Sequence, residues 1–494
     1  MKIHRMIAQV LWLLLLCEVI VQGKADRGDK GRGGPGEPLY LTPLIDAGRL
    51  EEARARSETG RIGGNDLENV LSYSGYLTVN RELNSNLFFW FVPAIKRRDK
   101  APVLAWLQGG PGSSSLVGFI VENGPYTLST DGSLKPIRRK ATWATHFSML
   151  YVDEPVGAGF SFTDSDEGYA RNLTDVGQDM LEFLQQFFQL FHDYSQNDFY
   201  VTGESFGGKF VPATAFAIHE AKDSLRVKIN LKGIAYGNGF TDPVIQLNIS
   251  DWIYHLGLFD RHQAAYFNQK YNVAKNYIND GHYTDAFFVI NELMFALPND
   301  YYNPPSTYFK NVTGYGSYYN VLLLEAPAIR NYFDDFVEIE SVRRAIHVGS
   351  NTFNDRTAVV THLIDDLMNS AKPYLPVLMN NYKVLLYGGQ LDIVVPYTST
   401  VAFVSTIPWS GAEELEAAPS RIWRPQSLTS GSKVSSNHVY GYVRTAGKVI
   451  LVMVRNAGHY VPLDQPEAAL DMITRFINDL PFSDEEMEDR KLIN

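Results

Sequence analysis

The tightest constraint on how this chain can fold lies at residues 199–221. There Phe199-Tyr200-Val201-Thr202 reads as a buried strand, Gly203-Glu204-Ser205-Phe206-Gly207 matches G-x-S-x-G, and Lys209–Ala221 can continue as a helix. A turn this sharp lifts a serine hydroxyl above the edge of a sheet, and glycines flank the serine because side chains there would clash. Strand, turn and helix in this order make Ser205 a candidate nucleophile rather than a serine in an ordinary turn.

The rest of the chain supplies a sheet for that turn to sit on. β-like runs occur at Ser72–Val79, Asn86–Val92, Val103–Leu107, Ser148–Val152, Phe199–Thr202, Asn230–Ala235, Lys383–Tyr387 and Val449–Val454. Helical patterns separate several of them. In the clearest, Asp175–Phe191, residues Val176, Met180, Phe183, Leu184, Phe187 and Phe191 form one stripe, which is core packing rather than a ligand box. Early meander-like strands followed by strands alternating with helices predict an α/β fold, a mixed and mostly parallel central sheet with helices on both faces.

From about 246 to 332 the strand signal gives way to helical, Tyr-rich sequence, including Asp285–Leu297, which reads as a cap inserted over the sheet's C-terminal edge. The catalytic domain is expected to span 39–482. Residues 24–38, rich in Gly and charge, read as a flexible leader or short propeptide, and 483–494 as an acidic, solvated tail. Internal repeats are not apparent.

With 494 residues, 45% hydrophobic and 20% charged, the chain can bury a large core. Its net charge of −11 offers nucleic acid no broad basic field. Residues 1–23, with Lys2, His4 and Arg5 before the apolar run Val10–Leu16, have the pattern of a secretory signal peptide. That run is shorter than the roughly 20 residues of a spanning helix, and no other stretch is apolar enough to span, so the mature chain is expected to lack a membrane span. The single cysteine, Cys17, lies inside the signal, leaving the mature chain without disulfides. Asn172, Asn248 and Asn311 head N-x-[ST] triplets and are candidate glycosylation sites of a secreted or lysosomal protein.

A serine hydroxyl is a poor nucleophile until a histidine takes its proton, and that histidine needs a carboxylate to hold its tautomer. In this kind of fold they follow in the order Ser, acid, His. Asp392 follows the strand 383–387 and the turn Gly388-Gly389-Gln390-Leu391, and His459 follows the strand 449–454 within Asn456-Ala457-Gly458-His459-Tyr460. The competitors fit worse: His438 sits in a Ser/Asn-rich loop, and Asp365 and Asp366 belong to a helical stretch with an ordinary solvated face.

Catalysis also needs donors aimed at a developing oxyanion. The Phe206 amide is one, and the glycine-rich turn Trp106-Leu107-Gln108-Gly109-Gly110-Pro111-Gly112 should supply another. That turn lacks the lysine and helix of a phosphate loop. The chain has no H-E-x-x-H pattern, and its histidines are scattered, so neither a metal nor a cofactor is expected.

These residues resemble the serine carboxypeptidase family, in particular its vitellogenic-carboxypeptidase-like branch, from about Leu39 to Leu480. The markers are 106–115 (WLQGGPGSSS), 153–162 (DEPVGAGFSF), 203–208 (GESFGG), 237–239 (GNG), 388–396 (GGQLDIVVP) and 458–466 (GHYVPLDQP). The resemblance implies an α/β-hydrolase fold, a triad of Ser205, Asp392 and His459, and an oxyanion hole from the amides of Gly110 and Phe206. It further implies that the free carboxylate of a peptide substrate is held by Gln108, Gly109, Glu122 and Glu204, the two glutamates sharing a proton. Two nearby carboxyls resist double ionisation, so binding should weaken as pH rises. Without the resemblance, Glu122 in Val121-Glu122-Asn123-Gly124 would read as a surface glutamate.

Three features depart from the family pattern. Phe206 and Gly207 stand where the family usually has Tyr and Ala, Gln108 stands for the usual Asn, and the disulfides that brace relatives are missing. The implied activity is removal of C-terminal residues from peptides at acidic pH through an acyl-enzyme. An esterase or acyltransferase could use the same triad, and a non-catalytic binding protein could use the same fold. The retained carboxylate-binding set argues against the first, the complete triad against the second. The oligomeric state is left open.

Overall fold

The computed structural model describes residues 34–62, 70–129, 131–297, 306–425, 438–483 and 485–486. Its strands are β1 (Tyr73–Asn80), β2 (Ser85–Val92), β3 (Val103–Leu107), β4 (Tyr126–Leu128), β5 (Pro136–Arg138), β6 (Ser148–Val152), β7 (Phe199–Glu204), β8 (Leu231–Gly237), β9 (Lys383–Gly389), β10 (Arg421–Trp423), β11 (Gly441–Ala446) and β12 (Val449–Val454). All but the β4–β5 ribbon join a 10-stranded sheet in the order β1-β2-β6-β3-β7-β8-β9-β12-β11-β10. From β6 through β12 every neighbour is parallel. Antiparallel pairs close both sides. The mixed, mostly parallel sheet expected from the alternation of strands and helices is what forms.

Side-chain alternation divides the core in two. In β2, Leu87, Phe89 and Phe91 pack on one face while Phe88, Trp90 and Val92 pack on the other; in β3, Val103, Ala105 and Leu107 oppose Leu104 and Trp106. A strand buried on both faces needs a helical layer on each. On the first face lie α1 (Leu173–Leu190) and α2 (Gly207–Ala221), the former through Val176, Met180, Phe183, Leu184 and Phe187. The Asn172 side chain caps α1 by accepting from the amides of Thr174 and Asp175, which sets where the helix starts.

Between β8 and β9 the described residues contain helices and no strand of the main sheet, including α3 (Arg261–Asn279) and α4 (Tyr283–Ile290). The stretch 285–297 is not one helix. After α4 the chain widens into a π-helical turn, Asn291–Phe295, that ends at Ala296 in the left-handed region. Next come α5 (Ile329–Val337) and, at the far end of the chain, α6 (Pro466–Ile477); both pack on the second face.

Four strands escape a reading of periodicity. β4, β5 and β10 are three residues each, too short to show alternation, and β11 opens with Gly441 and carries Arg444. All lie at the margins, so they leave the parallel centre that positions the site unchanged. Among the described residues no helix is long and apolar enough to cross a membrane. Residues 1–23 and 24–33 and most of the acidic tail lie outside the described residues.

Candidate active site

β7 ends at Glu204 and α2 begins at Gly207, which leaves Ser205 and Phe206 to make the whole reversal. Ser205 sits at φ 59°, a conformation non-glycine residues avoid at a cost of about 1–3 kcal/mol unless their surroundings hold them. Its surroundings do so: the Ser205 amide donates to the Gly237 carbonyl at 3.0 Å, and its carbonyl accepts from the amides of Gly208 at 2.9 Å and Phe240 at 2.7 Å. The glycine-rich turn after β3 presses against this elbow. A Cβ at Gly109 would lie 2.6 Å from both the Phe206 nitrogen and Ser205 Cβ, and one at Gly207 would lie 2.6 Å from the Leu107 carbonyl. The second contact gives Gly207 a packing reason in this chain.

Asp392 and His459 leave the C-terminal ends of neighbouring strands, β9 and β12. His459 Nδ1 lies 2.8 Å from Asp392 Oδ2, with both side chains buried. A carboxylate can only accept, so Nδ1 carries the proton and Nε2 keeps its lone pair. Among the described residues Nε2 has no hydrogen-bond partner, and His459 and Ser205 line the same cleft. The His459 ring packs on Tyr319, centroids 5.0 Å apart, and its amide donates to the Tyr319 carbonyl at 2.6 Å.

Asp392 receives two further donors, Asn238 Nδ2 at 2.6 Å on Oδ2 and the Val394 amide at 2.9 Å on Oδ1. Asn238, the middle residue of the 237–239 marker, had no role in the sequence reading. Its carbonyl oxygen accepts from the Gly389 amide, tying the end of β8 to the turn that carries Asp392. The amides of Gly110 and Phe206 border the same cleft, and among the described residues neither donates to another group of the protein.

A second cluster adjoins the first. Trp106 Nε1 donates to Gln108 Oε1 at 2.7 Å, which turns the Gln108 NH₂ group toward two carboxyls. That group lies 3.2 Å from Glu122 Oε1 and 3.2 Å from Glu204 Oε1. The second oxygen of each glutamate is buried and, among the described residues, meets no N–H or hydroxyl donor, and the two carboxyls are within hydrogen-bonding reach of each other. Burial, then the neighbouring Glu122 charge, push Glu204 well above the usual carboxylate range. Burial likewise raises Glu122, opposed by hydrogen bonds from Glu204 and Gln108 and by the charge of Arg330. Two buried carboxyls this close resist double ionisation and titrate as a unit.

Glu122 is thus no surface residue. It is fully buried in a π-helical turn, Gly118–Glu122, on which α5 packs. The solvated-face reading fails for Asp366 as well: it lies in a turn beyond the helix Thr357–His362, is buried, and accepts from the Leu173 amide at 3.1 Å. Asp365 is exposed there, and His438 is exposed beside Tyr440, away from the cleft.

The remaining cleft wall is apolar and aromatic. Phe206 follows β7 and Val394 and Val395 follow β9, while Phe240, Phe287, Phe295, Leu297, Tyr318, Tyr319, Leu367 and Met368 come from the segment between β8 and β9. Beneath Phe206 and Phe240 the buried Lys209 ammonium, pushed down to about 7 by burial, donates to the carbonyls of Leu367 and Asn369. Asp153 braces the glycine-rich turn by accepting from Ser114 Oγ at 2.6 Å and from the Ser115 amide at 2.9 Å. Neither residue was singled out by sequence, nor was Arg330, which also lines the cleft. Of the candidate glycosylation sites, Asn248 and Asn311 are exposed and Asn172 is half-buried as a helix cap. No cluster of three or more His, Cys, Asp or Glu suited to a metal occurs among the described residues.

Comparison with known proteins gives a consistent likeness. A family model described as serine carboxypeptidase matches residues 63–479. A human protein described as probable serine carboxypeptidase CPVL is 45% identical over 447 residues, covering 90% of each chain. A venom serine carboxypeptidase of Apis mellifera is 43% identical, covering 90% of this chain and 92% of its own, and a vitellogenic carboxypeptidase of Aedes aegypti is 42% identical, covering 90% of each. Among solved structures, a prohormone-processing carboxypeptidase from Saccharomyces cerevisiae superposes with a TM-score of 0.74 at 21% identity, covering 86% of this chain and 96% of its own, a likeness of fold.

Proposed function

This chain belongs to the serine carboxypeptidase family, and from that premise we propose that Ser205, His459 and Asp392 release single residues from peptide C-termini through an acyl-enzyme, favoured at acidic pH. The observation that carries the reading is the juxtaposition, at one cleft, of a serine–histidine–aspartate set with two buried carboxyls within hydrogen-bonding reach of each other.

Each group has a task its surroundings suit. Nε2 of His459 takes the Ser205 proton as Oγ attacks the scissile carbonyl, and Asp392 stabilises the imidazolium that results. The amides of Gly110 and Phe206 receive the oxyanion. His459 then hands its proton to the departing amine, which leaves as a free amino acid, and water repeats the sequence on the ester.

The substrate's terminal carboxylate is read by the Gln108 NH₂, the Gly109 amide and the proton shared by Glu122 and Glu204. A protonated carboxyl can donate to a carboxylate, and an ionised one repels it. Raised pKa values mean that the donating form exists in acid and is lost as pH rises through the pair's titration, so binding weakens in that direction. A protein built this way suits the acidic end of a secretory pathway, as the signal-like residues 1–23 also suggest.

An esterase or acyltransferase would use the same centre. It has no need of Gln108, Glu122 and Glu204 poised for a free carboxylate, and this favours the peptidase. The test follows amino acid release from an N-blocked dipeptide beside its C-terminal amide, with wild type and Ser205→Ala. Release from the free acid alone, abolished by the substitution, is the expected result. Equal cleavage of the amide would overturn carboxylate recognition, and no release by the folded wild type would overturn the peptidase.

A further inference from the structure

Asp392 and His459 stand beyond the ends of β9 and β12, yet their turns are also held from the segment between β8 and β9. Residues 318–321 of that segment reach both turns in succession. The Tyr318 carbonyl accepts from the Ile393 amide at 3.3 Å, and the Val321 amide donates to the Leu391 carbonyl at 2.9 Å, so these two bonds bracket Asp392. Between them along the chain, the Tyr319 carbonyl accepts from the His459 amide at 2.6 Å. Asn320 Nδ2 donates at 2.9 Å to Asp464 Oδ2, which also accepts from the Gly458 amide at 2.7 Å and so grips the residue before His459. From the same segment, the Trp252 indole donates to the Asp392 carbonyl at 3.0 Å.

The approach is close. A Cβ at Gly458 would lie 2.3 Å from the Tyr319 carbonyl oxygen and 2.7 Å from Asn320 Cβ, so a glycine is what lets the histidine turn come this near. Within the segment, Asn320 is the member that acts through its side chain. It is buried, and its Oδ1 accepts from the Leu322 amide at 3.0 Å, which turns the NH₂ group toward Asp464. Burial raises the Asp464 pKa, and the bonds from Gly458 and Asn320 oppose that rise. A donor to a charged oxygen makes the stronger kind of hydrogen bond.

We propose that Asn320 is a positioning residue for His459: through Asp464 it holds the turn that carries the base, as the side-chain link of a clamp that residues 318–321 lay across both catalytic turns. The inference rests on Ser205, His459 and Asp392 acting as a triad. A staple that only fastened the segment to the sheet would not need to meet both neighbours of Asp392, the His459 amide and the residue before it. A base displaced by even about 1 Å costs rate out of proportion to the bond lost, so the clamp acts on turnover rather than on substrate binding.

The test uses the full chain and a small fluorophosphonate, which Ser205 attacks with help from His459 and which carries no carboxylate for Gln108, Glu122 and Glu204 to read. Its second-order inactivation constant does not depend on how much of a preparation is folded. Asn320→Ala should lower that constant and kcat for a free-acid dipeptide together, by about 10-fold or more, with KM little changed. Asn320→Asp sets a second carboxyl against Asp464. Its inactivation constant, relative to wild type, should be low at pH 7, where both carboxyls are ionised, and recover toward one at pH 5, where one keeps a proton and can donate. Asp392 and His459, whose charges Asp464 feels, and Glu325, which lines a small cavity with it, are present in both proteins, so their titration cancels in the ratio. An unchanged constant in Asn320→Ala overturns the proposal, as does a loss confined to KM or an Asn320→Asp deficit equal at both pH values. If neither variant folds, the bond serves the fold and the proposal falls. Wild type that reacts with the fluorophosphonate but releases no amino acid defeats the carboxypeptidase reading and leaves this inference to the inactivation constants. Wild type that does not react defeats the triad and this inference with it.

Discussion

Two buried acid sites adjoin this cleft, and they are built in opposite ways. Asp392 has donors converging on both oxygens, from Asn238, Val394 and His459, at 2.6–2.9 Å. Glu122 and Glu204 share one amide donor at 3.2 Å, and among the described residues each keeps an oxygen that no N–H or hydroxyl reaches. Donors satisfy an anion, and their scarcity leaves a proton in place. On the proposed reading, one site stabilises a positive histidine and the other receives a negative substrate. Carboxyls of one kind, a few residues from the same cleft, acquire different work from how many N–H groups reach them.

The sharpest way to break this contrast is to remove the histidine. His459→Gln should lower kcat by about 10⁴-fold or more while leaving binding of a free-acid peptide measurable, and steady-state kinetics with a binding assay separates the two. If binding vanished with turnover, the division between the sites would fail.

Asn238→Leu probes the donor count on Asp392 directly. Loss of a hydrogen bond to a charged group is worth about 1.5–3 kcal/mol, so kcat should drop by about 10- to 100-fold with KM little changed. A change confined to KM would mean that Asn238 serves the substrate end instead.

A smaller effect extends the contrast to stability. Burial raises Asp153 to about 6 and Asp179 to about 7 from the usual value of 3.8. A carboxyl raised in the folded state adds stability that is fully present below its unfolded value and lost as pH rises through the folded one. Thermal unfolding should therefore shift downward by several degrees between pH 5 and pH 7. An unchanged or rising melting temperature would show these acids to be ionised without cost.

How much of this was legible in the sequence followed from how local each signal was. Ser205, Asp392 and His459 sit on strand ends within a few residues of glycines their turns require, so order along the chain sufficed to single them out. The parallel sheet centre was legible for the same reason, from apolar runs spaced by helices. Glu122 was not, because its burial comes from α5, more than 200 residues further along the chain, packing on its turn. Arg330 looks like the polar edge of an amphipathic helix, and only the packing of that helix against Tyr460 and the Glu122 turn brings it to the cleft. Asn238 could have been found: an asparagine between glycines after a parallel strand, at φ 44°, is a residue kept for its side chain as well as its turn. The three-residue edge strands carry too little alternation to be seen at all.

The proposal that Glu122 and Glu204 share a proton is tested most directly by KM for a free-acid dipeptide from pH 4 to pH 8, in wild type and in the double variant Glu122→Gln/Glu204→Gln. Wild-type KM should rise steadily with pH, and the double variant, whose amides donate at any pH, should show a flat profile with acid-side kcat largely kept. A rising KM that persists in the double variant would place the titrating group elsewhere and contradict the role of the carboxyl pair.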